Sequence, residues 1–462
     1  MTFVFYDTET TGIDTTFDQI LQFGAIQTDD DLNEIDRFEI RCRLLPHVVP
    51  APMALKVTGI ATEKLTDPAL PSHYDAMRQV HAKLTDWSPS VFVGYNSISF
   101  DENLLRQAFY QTLQPIYLTN TVGNTRADML RVAHAVAAYA PNAIAIPLGE
   151  AGQQVFKLDL LAPANGFDHE NAHDAMGDVE ATIHLARLVR DRALEVWGRM
   201  MQLSRKRDAA NILESEEILC LTQYWRGQAH NRYVTECGVD PTYDASRAVF
   251  DLKQNPQPYL DMTTVELVHE MNKSPVVVRA VRTNAQPILM PNTAAPDALI
   301  EQSLPFEELV RRASMITENI EFQGRVGEAL ANRYPEKEPS PHVERQIYDG
   351  FASSEDQALM QRFHHEPWED RLRIAMEIDD LRMKRIAQRL IYFERPEALP
   401  AKTREALSKE IQARLNAHDD VLPWRTVADA RKDLAELQSE DVDGSLAVFI
   451  SNMDAFLAGL LK

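Results

Sequence analysis

In the segment NAHDAMGDVEAT (171–182) and the residues after it, Ala175, Asp178, Thr182, Leu185 and Val189 recur three or four positions apart. One helical stripe therefore carries a carboxylate among the side chains that have to pack. An ionised carboxylate in that position costs several kcal/mol unless a cation meets it. Any fold open to this chain must bring an Arg, a Lys or a metal ion to Asp178.

Two other segments carry acids at the ends of apolar elements. In TFVFYDTETTG, Phe3, Phe5, Asp7 and Glu9 alternate and share one face of a strand, which sets the two acidic α-carbons roughly 6.5 Å apart. In VFVGYNSISFDENLL an apolar strand ends and Asp101 opens the next helix, where the helix dipole favours an acid. Taken singly, each is more often structural: solvated acids at a strand end, a helix-start acid, an Asp beside an Arg, a satisfied loop histidine at His173.

Taken together they make a chemical set. Four carboxylates converging without a cation would repel one another and protonate. Two divalent ions about 4 Å apart would neutralise them and serve in-line displacement at phosphorus. All-oxygen ligands select Mg²⁺, or Mn²⁺ as a substitute, over zinc. His173, five residues before Asp178, is suited to take the proton of an attacking water.

The rest of the chain frames this set. Its 462 residues allow about two to four domains. Three well-separated cysteines, Cys42, Cys220 and Cys237, argue for a reducing compartment and against a zinc site or disulfide framework. The start, MTFVFYDTET, lacks a basic run followed by a long apolar one, so no export signal is expected and the protein is expected in the cytoplasm, without membrane contact. The net charge is −22, and 26 acidic against 15 basic groups in residues 1–200 account for −11 of it. Such acidity counts against nucleic acid, whose non-specific affinity comes from Lys and Arg meeting phosphates. A local basic groove on an acidic body escapes that objection.

Residues 1–195 read as one α/β unit: three consecutive strands (TFVFYDTE, ILQFGAIQTD, RFEIRCRLL), then helix near His73–Trp87, strand SVFVGYN, helix Asp101–Gln111, a strand ending near Ala127, and helices around Asp128–Tyr139 and Asp174–Arg190. Residues 200–335 open with the basic turn LSRKRDAANILE and continue with strand-like runs such as RAVFDLKQ and SPVVVRAVRT, the pattern of a smaller mixed or barrel-like domain. YPEKEPSP (334–341), with three prolines, reads as an extended linker. Residues 342–462 are helical in pattern almost throughout.

The set Asp7, Glu9, Asp101, His173 and Asp178 resembles that of the DEDDh 3′→5′ exonucleases, and VTGI (57–60) and GYNSISFDENLLR agree with it. The family's usual histidine before the VTGI-like piece is absent, the residues being Ala54, Leu55 and Lys56. Beyond that superfamily the chain is similar almost end to end to the bacterial exonuclease I family, through NTRADML, FKLDLL, NGFDHENAHDAM, WRG, VERQIYDGFASSEDQALM and RLIYF.

The resemblance implies a ribonuclease H-like mixed sheet followed by an SH3-like domain and an all-helical C-terminal domain. Together these enclose a groove for single-stranded DNA in a monomeric enzyme of DNA repair or recombination. It implies catalytic roles for Asp7, Glu9, Asp101, His173 and Asp178, metal binding by the four acids, and strand contacts by Glu9, Lys157, Arg106, Asn124 and Arg126. Tyr95, Phe100, Tyr224 and Trp225 are candidates for base stacking, though large aromatics are more often core. The family also docks single-stranded DNA-binding protein through basic residues, but the matching stretch QPILMPNTAAPD has no Lys or Arg. Two other functions compete: a DEDDh exoribonuclease trimming RNA 3′ ends, which the two appended domains disfavour, and a non-catalytic nucleic-acid-binding module, which retention of all five residues disfavours.

Overall fold

The computed structural model describes residues 2–168, 173–335, 338–417, 422–441 and 444–461. Asn171 and Ala172 of the acid-bearing segment, and Glu336 and Lys337 of the proline-rich linker, lie outside the described residues.

The first sheet is built around β1 (Phe3–Thr10), which pairs antiparallel with β2 (Ile20–Thr28) and parallel with β4 (Val91–Gly94). With β3 (Glu34–Arg41) and β5 (Thr125–Asp128) at the edges, the order is β3-β2-β1-β4-β5. The three antiparallel strands expected from sequence are present. Strand β3 alternates exposed and half-buried residues and carries Glu34, Asp36, Arg37, Glu39 and Arg41, a charged edge that discourages pairing with another chain.

Alternation along β1 assigns its two faces. Phe3 and Phe5 pack with α4 (Met129–Tyr139) and α6 (Ala175–Arg192), through Val132, Val179 and Ile183. Val4 and Tyr6 pack on the other side with α2 (His73–Asp86) and α3 (Asp101–Gln111), through Val80, Leu84, Leu104 and Leu105. Period-two geometry then continues the Phe3/Phe5 face into Asp7 and Glu9, so the two acids point to the side on which α6 lies. Helices α1 (Pro52–Thr58) and α5 (Leu158–Ala164) complete this part of the chain.

After α7 (Leu194–Leu203) and α8 (Lys206–Ser215) comes a second, wholly antiparallel sheet of order β10-β6-β7-β8-β9. Its strands are β6 (Leu219–Trp225), β7 (Gln228–Val239), β8 (Ser246–Asp251), β9 (Val278–Arg282) and β10 (Ile288–Pro291). Strands β8 and β9 are the runs read from sequence. The β6–β7 hairpin turns on Arg226 and Gly227 at φ 51° and 70°, the double positive φ of a tight two-residue hairpin turn. Helices Phe306–Thr317 and Ile320–Ala331 lie against β7.

The C-terminal region is helical, from Ser354–His365 to Ala447–Gly459. The three cysteines are buried and free. Among the described residues no helix is long and apolar enough to cross a membrane.

Candidate active site

Three segments deliver the acids. Asp7 and Glu9 stand on the last residues of β1, and Asp178 lies in the first turn of α6. One carboxylate oxygen from each of Asp7, Glu9 and Asp178 falls within 4.8 Å of the others. Asp101, 3% exposed, begins α3 and accepts a 2.6 Å hydrogen bond from Thr8 Oγ1, between the two β1 acids.

The approach of α6 depends on a glycine. Gly24 on β2 pairs with Asp7, and a Cβ there would come within 3.0 Å of Ala175 C and Met176 N. Only a residue without a side chain lets the start of α6 lie so close to the sheet. Asp174 caps that helix, accepting from Met176 N at 3.2 Å, and is tied to β2 and β3 by Gln22 Nε2 at 3.0 Å and Arg41 Nη2 at 2.6 Å. His173 precedes the cap, exposed, at φ 65°, with its backbone N–H donating to Asp178 Oδ1 at 3.4 Å.

The electrostatics are those of carboxylates gathered without enough cation. Burial, then the charges of Asp178, Asp101 and Asp174, pushes the Glu9 carboxyl up to about 8. Burial pushes Asp101 up to about 7 against the hydrogen bond from Thr8. Asp7 is pushed well above the usual carboxylate range by burial, then by Asp101, Asp178 and Glu9. The guanidinium that opposes this at Glu9, Arg41, is also paired with Asp174 and Glu39. The donor set is oxygen only, which suits a hard divalent cation.

The strand-contact residues divide. Lys157 is exposed at the N-terminal end of α5. Asn124 and Arg126 are largely buried and hydrogen-bonded within the fold. The Asn124 amide serves Ser90 N, Ser88 Oγ and Leu118 O. Arg126 pairs with Glu102 at 3.0 Å and donates to Asn284 O at 3.1 Å. Arg106 is also largely buried, paired with Glu102 at 2.8 Å beneath the Tyr117 ring. Of the aromatics, Tyr95 donates its hydroxyl to Phe156 O, Phe100 packs against the core on the Val4/Tyr6 face, and Tyr224 stacks on His134 at 4.1 Å. Trp225 is 67% exposed.

Sequence reasoning missed the residues that hold the acids: Thr8, Gly24, Glu102 and Asp174. Asp174 carried a signal, since an Asp two residues before Met176 at the head of an apolar stripe is a helix cap. Gly24 carried none, because its constraint comes from a helix about 150 positions away.

A central strand with antiparallel and parallel neighbours, acids at its end and a helix laid across it define a nuclease domain of ribonuclease H-like fold. Residues 4–186 match the family model described as "Exonuclease", and residues 341–456 match "Exonuclease I C-terminal domain". Exodeoxyribonuclease I of Escherichia coli K12 is 28% identical over 376 residues, 78% of each chain. That of Haemophilus influenzae is 26% identical over 410 residues, 85% of each. Among solved structures, E. coli exonuclease I in complex with a dA16 oligonucleotide superposes with TM-score 0.86 at 23% identity, covering 99% of both chains. Exonuclease I from Methylocaldum szegediense gives 0.85 at 23% identity over the whole of both. The chain belongs to the exonuclease I family and is a nuclease hydrolase.

Proposed function

We propose that the protein is a 3′→5′ exonuclease that hydrolyses single-stranded DNA to nucleoside 5′-monophosphates, in DNA repair or recombination. The observation that carries this reading is the convergence of Asp7, Glu9 and Asp178 oxygens within 4.8 Å, beside the Asp101 carboxylate that Thr8 holds. The relatives supply the substrate: those named above are exodeoxyribonucleases, and one solved homologue carries an oligonucleotide.

The four carboxylates fit a pair of divalent cations, because the raised pKa values of Asp7, Glu9 and Asp101 are the response of acids short of positive charge. We take Mg²⁺ as the resident ion with Mn²⁺ as a substitute; a zinc-bound form is known of the E. coli enzyme. When bound, such ions lower the pKa of a coordinated water and stabilise charge on the attacking and leaving oxygens. Asp7 and Asp178, reaching in from strand and helix, would hold these ions and so set where the scissile phosphate sits. Glu9 also faces the terminal nucleotide. His173, exposed beside Asp178, receives the proton of the attacking water. Lys157 offers a point charge to a phosphate of the strand.

The proposal extends to a monomeric, cytoplasmic protein divided at 1–195, 200–335 and 342–462, with single-stranded DNA as its partner. A contact with single-stranded DNA-binding protein has no basic residue in Gln286–Asp297 to rest on. The test is incubation of 3′- and 5′-labelled single strands, DNA and matched RNA, with Mg²⁺ or chelator. Release of mononucleotides from the 3′ end of DNA, abolished by chelator, is expected. Preferential RNA trimming would transfer the assignment to an exoribonuclease, and binding without cleavage would reduce it to a binding module.

A further inference from the structure

We infer that one turn of the second domain, Thr283–Gln286, is a positioning element for the catalytic carboxylate Asp101. This inference rests on the site proposed above and concerns residues that do not touch metal or substrate.

The turn meets β5 at both ends of a short stretch. Gln286 is fully buried and sits at φ 47°, a left-handed conformation that non-glycine residues adopt at a cost. Its Oε1 accepts from Asp128 N at 2.7 Å, and its Nε2 donates to Met200 O at 3.0 Å. Two residues earlier, Asn284 O accepts from Arg126 Nη2 at 3.1 Å. Thr283, also fully buried, anchors the turn to Ala245 O at 2.9 Å.

From β5 the contacts continue along two branches that flank Asp101. In the first, Arg126 Nη1 holds Glu102 Oε1 at 3.0 Å. Glu102 follows Asp101 directly and also accepts from Thr119 Oγ1 at 2.6 Å and Tyr6 OH at 3.2 Å, with Arg106 paired at 2.8 Å. In the second, the Asp128 carboxylate accepts from Asn96 N at 2.9 Å and Ile98 N at 3.3 Å. Those amides belong to the loop that leads from β4 into Asp101. The residue after the acid and the loop before it are thus both held from β5, and β5 is held from the second domain.

Gln286, Arg126, Glu102 and Asp128 are buried and hydrogen-bonded, so withdrawing one leaves a partner unsatisfied at a cost rather than letting water replace it. The expected consequence is a looser Asp101, read as weaker metal binding and slower turnover. The affinity of the enzyme for the body of the strand should be untouched.

The test uses the full chain. Gln286→Met keeps volume and removes both amide bonds; Arg126→Lys is a milder second variant that shortens the reach to Glu102 and Asn284. Leu267→Ala, a core truncation elsewhere in the same domain, controls for lost stability. Mn²⁺ binding is followed by the loss of the free-ion electron paramagnetic resonance signal, and kcat and KM are measured on a single-stranded oligonucleotide with Mg²⁺. Gln286→Met should weaken Mn²⁺ binding and lower kcat about tenfold, the lower end for a group one step behind a ligand. KM should stay within about twofold, and Arg126→Lys should move the same quantities in the same direction. Leu267→Ala should lower Tm without moving either. Wild-type Mn²⁺ binding and kcat in Gln286→Met and Arg126→Lys, or an equal shift in Leu267→Ala, would overturn the inference. A wild-type enzyme that neither binds Mn²⁺ nor cleaves would instead sink the site reading beneath it.

Discussion

Gly24 on β2 is paired in register with Asp7 on β1, and the space where its side chain would be is taken by the backbone of Ala175 and Met176. The metal-site geometry therefore rests on a residue that contributes no chemistry. Gly24→Ala should force the start of α6 off the sheet, at a cost of about 1–3 kcal/mol for overpacking. Because Asp178 rides on that turn, activity should fall by more than the stability loss accounts for. Thermal melting together with cleavage assays well below Tm will separate the two effects; wild-type kcat in a destabilised variant would mean the turn tolerates the shift.

The raised carboxyls make the metal-free protein sensitive to pH. Their folded pKa values, about 8 for Glu9 and about 7 for Asp101, lie above those of the unfolded chain. The stability they contribute is present in acid, below the ordinary carboxylate range, and is lost as pH rises through 7 and 8. In chelator, Tm should therefore fall between pH 6 and pH 8. Metal binding releases those protons, so the rise in Tm on adding Mg²⁺ should be larger at pH 8 than at pH 6. Equal increments at both pH values would show that the acids are already ionised without metal.

The same repulsion predicts an opposition between stability and function. Asp7→Asn removes one ionisable acid from the cluster and, at alkaline pH where the cluster ionises, should raise Tm in chelator while lowering turnover by about 10²-fold or more. Calorimetry of the metal-free variant beside the wild type checks the first, and single-strand cleavage the second. A variant less stable than wild type without metal would mean that Asp7 is held by favourable contacts stronger than the repulsion.

Glu344 predicts a structural cost. Although burial works to raise its pKa, Arg389 and Arg414 hold the carboxyl well below the usual range, each bonding Glu344 Oε1, at 2.9 and 2.6 Å. Its backbone carbonyl accepts from Gln107 Nε2 at 3.0 Å, which ties this segment to α3. Glu344→Ala leaves two guanidiniums buried without their anion and should cost about 3–5 kcal/mol in urea unfolding. Since the folded pKa is depressed, the wild-type pair contributes fully above the ordinary carboxylate range and is lost as pH falls below it.

How much of this was legible in the sequence follows from the range of each signal. The face of β1 that carries Asp7 and Glu9 was legible because alternation is local. The stripe of α6 was legible because a 3.6-residue period is local too. The second sheet was only half legible: β8 and β9 are apolar runs, whereas β7 (QAHNRYVTECGV) mixes polar and apolar residues and is half-buried over its first part. The positive φ pair at Arg226 and Gly227, which makes β6 and β7 a hairpin, has glycine at only one of its two positions. For Asn124 and Arg126, which stand beside and within the short strand β5, the sequence does not show their partners inside the fold. Only the packed chain shows Ser88, Ser90, Leu118, Glu102 and Asn284 already using them. The acids were read from their own segments and the resemblance to exonuclease I supplied the family, but neither could supply Gly24 or Gln286.

His173 is the residue whose role and backbone can be separated. It is exposed and sits at φ 65°, so its conformation costs free energy that the fold elsewhere offsets, the kind of outlier that accompanies function. Replacing it with Ala removes the imidazole and also strains a side chain ill suited to that φ; replacing it with Asn removes the imidazole but keeps a residue that tolerates the left-handed region. If the imidazole takes the water's proton, both variants should lose about 10²–10⁴ in kcat. KM for the strand should stay within about twofold, because the strand contacts proposed above run through metal and Lys157 and not through the imidazole. If the backbone alone matters, through the N–H that His173 gives Asp178, His173→Asn should turn over like wild type and only His173→Ala should fail. Steady-state kinetics of the two variants under saturating Mg²⁺ decide between general-base chemistry and loop geometry.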